Sequence, residues 1–94
     1  MDINSRIQRI CHMELCFDRL QNAFAENPTS FLEVPELNAI YQELIQYYHS
    51  KEWLADYECD ERGELPQTLK RGVLSQDAVY NFITEVNSML KGGN

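Results

Sequence analysis

A chain of 94 residues, 44% hydrophobic and 24% charged, can bury one modest core without disulfides or metal and is too apolar to be a disordered tail. Its net charge of -7 argues against general phosphate-backbone binding, which needs Lys and Arg to displace counterions, and equally against docking on an anionic membrane. No run approaches the ~20 apolar residues needed to span a bilayer.

The first predicted element runs from Ile3 to Phe24. Ile3, Ile7, Ile10, Met13, Phe17, Leu20 and Phe24 recur at spacings of three and four, the period of one helix face. Arg6, Arg9, Glu14, Asp18, Arg19 and Glu26 fall off that stripe. Asn27-Pro28 ends the helix, because proline disfavours helical geometry in the residue before it. The stripe fits one wall of an intramolecular bundle, or a homodimer seam. His12 and Cys16 lie four apart on one face, but two ligands do not make a zinc site.

Ser30 and Glu33 have capping-box spacing. Pro35 conflicts with a helix running through from Ser30 and suits the first turn of one starting near Val34. That helix should reach Tyr48, with Leu37, Ile40, Tyr41, Leu44, Ile45 and Tyr48 on its apolar face. Ser50 is the expected cap of a short third helix, with Trp53, Leu54 and Tyr57 facing inward and Lys51, Asp56 and Glu58 outward. Gly63 should supply a left-handed stop. Leu69, Val73 and Leu74 should pin the following loop to the core, and Gly72 should relieve the backbone beside Lys70-Arg71. Ser75 then caps a last helix lined by Val79, Phe82, Ile83, Val86, Met89 and Leu90 and stopped by Gly92-Gly93. The expected fold is all-α: one domain spanning 1–94, about four helices packed antiparallel, with an ordered charged loop before the last.

Cys11, Cys16 and Cys59 are odd in number and form no C-x-x-C, so neither a disulfide framework nor a zinc knuckle is expected. A reducing cytoplasm is the simpler setting. The N-terminal MDINSRIQRICHME lacks the uninterrupted apolar stretch of a signal peptide.

Chemistry concentrates between Trp53 and Ser75. Read from Asp56, the acidic run fails the calcium-loop pattern at its sixth and twelfth places, which hold Glu61 and Gln67. A looser divalent-ion site from Asp56, Asp60 and Glu61 remains an alternative. So does an acidic inhibitor mimicking DNA, although basic residues interrupt the densest run. Lys70-Arg71 beside the helix start at Ser75 could attract an anion. No phosphate loop, H-E-x-x-H or convergent nucleophile points to an enzyme, and no cofactor is implied.

The strings EWLADYECDERGELP and LKRGVLSQDAVYNF, with Tyr47-Tyr48 upstream, resemble a family of small bacterial proteins catalogued only as a domain of unknown function. The specific likeness covers roughly the second half of the chain. Cys59 stands where that family would be expected to carry a small residue such as alanine. The resemblance implies a cytoplasmic bacterial protein and brings no reaction, cofactor or catalytic residue.

The expected role is a protein-protein interaction or regulatory module working through Trp53 to Arg71. Trp53 and Tyr57 would be aromatic anchors, and Asp56, Asp60, Glu61, Arg62, Lys70 and Arg71 a charged rim. The competing expectation places Trp53 and Tyr57 in the core and uses the charges to fasten the loop.

Overall fold

The computed structural model describes residues 3–91. It contains helices α1 Ile3–Glu26, α2 Pro35–Tyr48, α3 Lys51–Glu61 and α4 Gln76–Lys91, with 3-10 turns Phe31–Glu33 and Gly72–Leu74 before α2 and α4. No strand occurs among the described residues, so the fold is the small all-α bundle that the periodicity predicted. Among the described residues, no helix is long and apolar enough to cross a membrane.

The 24 residues of α1 rise ~36 Å and set the long dimension of the 44 × 22 × 22 Å molecule. Ile10, Met13, Cys16, Phe17 and Leu20 are buried along it, and Ile7 and Phe24 pack at the core's edge. Ile3 stays exposed, so the predicted stripe holds from Ile7 onward. Partners on α2 descend as α1 ascends: Arg9 is linked through Asp56 to Tyr47, His12 meets Glu43, and Arg19 meets Glu36. The two helices are therefore antiparallel. Gln76 meets Tyr48 and Phe82 meets Tyr41, so α4 also runs against α2 and shares the direction of α1. A uniformly antiparallel bundle is thus corrected.

Aromatic edges knit the core. Phe82 of α4 meets Phe17 and Phe24 of α1 edge-to-face at 5.5 and 5.7 Å, and Phe24 meets Phe31 at 5.6 Å. Such pairs contribute about 0.5–1.5 kcal/mol each beyond the area they bury. The capping-box spacing of Ser30 and Glu33 opens no helix, as the conflict with Pro35 implied: Phe31–Glu33 is a 3-10 turn with the Phe31 ring buried, and the Ser30 side chain caps nothing. Pro35 alone opens α2, where its missing N–H costs nothing.

The caps of α3 and α4 follow expectation. Ser50 Oγ accepts from the Trp53 amide at 3.1 Å, and Ser75 Oγ accepts from the Ala78 amide at 3.2 Å. Gly63 takes φ +73° after α3. The Glu64 amide donates to the Cys59 carbonyl and the Gly63 amide to that of Asp60, closing a Schellman motif.

The inward face of α3 differs from expectation. Trp53, Asp56 and Cys59 are buried, whereas Leu54 is exposed and Tyr57 only half-buried. In α4, Val79, Phe82 and Val86 are buried, but Met89 and Leu90 extend past the core. The predicted Gly92-Gly93 stop lies outside the described residues.

Candidate functional site

The midsection is organised by two carboxylates that the bundle buries. Asp56 on α3 is fully buried. Arg9 donates from Nε to Oδ2 at 2.9 Å and from Nη2 to Oδ1 at 2.5 Å, a bidentate grip. The Tyr47 hydroxyl donates to Oδ2 at 2.5 Å. Arg6 Nε lies 3.1 Å from Oδ1, in ionic contact but off hydrogen-bond geometry. A buried carboxylate persists only when charge and hydrogen bonds replace its water, and three side chains from two other helices do so here. Burial, then the bond to Asp56, pushes the Tyr47 phenol well above its ordinary range. The same carboxylate raises the Arg9 guanidinium.

Glu14 on α1 is the second buried carboxylate, and its Oε1 accepts from the Val73 amide at 2.8 Å. The Val73 carbonyl accepts from Trp53 Nε1 at 3.0 Å. One residue of the 3-10 turn before α4 is thereby held on its donor side by α1 and on its acceptor side by α3. Neighbouring Gly72 answers to the same contact, since a Cβ there would stand 3.2 Å from Glu14 Oε2. Close approach, not a positive φ, is the reason for glycine at this position.

Partly buried and exposed charges complete the loop. Arg71 pairs through Nη1 with Asp60 Oδ1 and donates from Nη2 to the Pro66 carbonyl at 2.5 Å. Arg62 and Glu64 join at the end of α3, and Lys70 Nζ reaches Asp18 on α1 at 2.8 Å.

Four of the eight predicted residues, Tyr57, Asp60, Glu61 and Arg71, line one surface cleft between α3 and the start of α4, together with Gln76 and Asp77. Of its lining residues, Tyr57 stacks its ring on buried Trp53 at 5.2 Å and 15°, and Tyr48 abuts Trp53 edge-on. Arg62 and Lys70 are drawn away to Glu64 and Asp18. Two positions are corrected. Trp53 is a buried support and not an exposed anchor, and Asp56 is an interior hub and not part of the rim. Both corrections follow from sequestration in water-poor surroundings of groups whose polar atoms all find partners.

The geometry also bears on the other chemistry weighed from the sequence. Arginine and tyrosine occupy the Asp56 oxygens and Arg71 engages Asp60, so the acidic run does not converge on an ion. No anion pocket forms at Lys70-Arg71, because those cations face Asp18 and Asp60 and Ser75 caps its own helix. Arg6, Arg9, Glu14, Asp18 and Tyr47 were missed as partners of the midsection. Their only signal was a polar group on α1, or on α2 for Tyr47, off the stripe patterned for burial.

Fold and site together define a small helical bundle that displays a charged cleft between α3 and the start of α4. The chain matches, over residues 10–92, the family model described as a domain of unknown function (DUF4298), and it belongs to that family. No curated protein and no solved structure matches it.

Proposed function

We propose that the protein is a bacterial cytoplasmic interaction module that docks a basic segment of a partner protein in the cleft between α3 and α4. The supporting observation is a cleft that brings Tyr57, whose ring stacks on buried Trp53, together with Asp60, Glu61 and Asp77. An aromatic face ringed by carboxylates suits a Lys or Arg side chain, by cation–π attraction and by charge. Arg71, the cation in the cleft, is already engaged by Asp60, so the rim retains negative character. Exposed Leu54 lies one turn before Tyr57, and exposed Tyr80 one turn after Asp77, adding apolar contact beside the cleft. A net charge of -7 speeds encounter with a basic partner.

Site-specific photo-crosslinking in cells tests this reading. A crosslinker at Glu61 should give a discrete adduct that one at exposed Gln42 does not. The adduct should disappear when Asp77→Lys is added. An adduct that survives the charge reversal, or none at Glu61, contradicts the proposal.

A further inference from the structure

Away from that cleft, at the outer face of the α1–α2 pair, three side chains of different chemistry converge. His12 Nε2 lies 2.8 Å from Glu43 Oε2, Cys16 Sγ lies 3.7 Å from His12 Nε2, and Cys16 Sγ lies 3.9 Å from Glu43 Oε1. One ligand atom from each falls within 4.8 Å of the other two. His12 and Cys16 share a face of α1 by their four-residue spacing, and antiparallel α2 delivers Glu43 opposite them.

We infer that His12, Cys16 and Glu43 form a binding site for a zinc-class divalent ion that clamps α1 to α2. Tetrahedral zinc, bonded to nitrogen and oxygen at about 2.0–2.2 Å and to sulfur at about 2.3 Å, sets its ligand atoms about 3.4–3.6 Å apart. The Cys16–His12 separation of 3.7 Å is already near that value. His12 meets Glu43 at Oε2, 2.8 Å away, and Cys16 meets it at Oε1, 3.9 Å away, so the carboxylate must turn to bring one oxygen to both, from a starting set in which all three ligand atoms lie within 4.8 Å of one another. That adjustment needs only side-chain rotation of His12 and Glu43, whose side chains are 58% and 48% exposed.

Charge balances as well. On binding, the Cys16 thiol releases its proton to solvent and His12 Nε2 presents its lone pair, with the ring's single proton on Nδ1. One thiolate and one carboxylate then neutralise the two charges of the ion. Metal binding at a cysteine thiol therefore releases a proton. A thiolate and an imidazole disfavour magnesium and calcium, which take oxygen ligands. Three protein ligands leave a fourth position, and two of the three, His12 and Glu43, line a surface cleft with Gln46, Ser50 and Glu52. Sites of this ligand count keep water or an exogenous ligand there.

Titration of the full-length reduced protein with zinc chloride, and in parallel with cobalt(II), tests the site. The expected result is one equivalent bound, a thiolate-to-cobalt charge-transfer band, and a melting temperature at least ~5 °C higher with zinc in excess. Cys16→Ser should abolish the band, and His12→Ala and Glu43→Gln should each weaken zinc at least ~10-fold. Cys11→Ser, at an exposed cysteine outside the cluster, should change nothing. Because His12 and Glu43 are exposed, their variants should fold even if Cys16→Ser does not. A wild type without the cobalt band, or zinc affinity unaltered by His12→Ala and Glu43→Gln, would overturn the inference.

Discussion

Arg9 and Asp56, 47 residues apart in sequence, meet through two parallel hydrogen bonds at the place where α1, α2 and α3 come together. Asp56→Asn would leave Arg9 and Arg6 facing a neutral amide in a poorly solvated setting. The expected loss is about 3 kcal/mol, toward the low end for a broken buried pair because the arginine side chains keep some solvent contact. Tyr47→Phe, which removes one bond to the same carboxylate, should cost about 1.5–2 kcal/mol alone and less in the Asp56→Asn background. Urea midpoints of the four proteins check both figures.

Gly72→Ala presses a methyl group against the Glu14 carboxylate and loosens its bond to the Val73 amide. It should destabilise the wild type by about 1–2 kcal/mol and do so much less when Glu14 is Ala. Equal costs in the two backgrounds, measured by the same denaturation, would show that Gly72 answers to something other than Glu14.

Tyr41 carries a buried hydroxyl with no hydrogen-bond partner. Tyr41→Phe should therefore leave stability unchanged or raise it by up to ~1 kcal/mol, while Tyr41→Ala should lower it by about 3–5 kcal/mol through cavity formation. Thermal melts of the pair decide whether the ring alone matters.

The pH dependence has two limbs. Arg19 and Arg62 hold Glu36 and Glu64 below their ordinary 4.5, chiefly by hydrogen bonding. A carboxylate depressed in the folded state adds stability above its unfolded value and loses it as pH falls through the folded one. The melting temperature should thus fall below about pH 4.5, slightly because these pairs are exposed, and Arg62→Ala should flatten that fall. At the alkaline end, burial raises the Cys16 thiol above 9.0 and the Tyr47 phenol above 10.0. Raised groups add stability that is complete below the unfolded value and lost as pH rises through the folded one. Melting should fall above about pH 9, and Cys16→Ser should delay the onset.

Where apolar spacing or cap chemistry decides the outcome, the sequence was legible. The stripe Ile10, Met13, Phe17, Leu20, the Ser50 and Ser75 caps, Pro35 at the head of α2 and left-handed Gly63 all stand where their residue types require. Asp56 and Glu14 were not legible as interior groups, because a buried carboxylate is indistinguishable from a solvated one until its partners are known. Those partners lie 47 and 59 residues away on other elements, beyond any local period. For the same reason His12 and Cys16 looked like an incomplete ligand pair, since Glu43 arrives only through the packing of α2. Leu54 was misplaced inward because Asp56, lying one turn before buried Cys59, turns that face of α3 toward the arginines.

The central claim is that the segment between α3 and α4 is a fixed part of the bundle, held at Val73 between Glu14 and Trp53. Native-state amide hydrogen exchange at Val73 measures this most directly. Protection comparable to the amides of Leu20 and Val86, reduced selectively by Glu14→Ala, is the predicted result. Exchange at the rate of an open loop while those helices stay protected would contradict it.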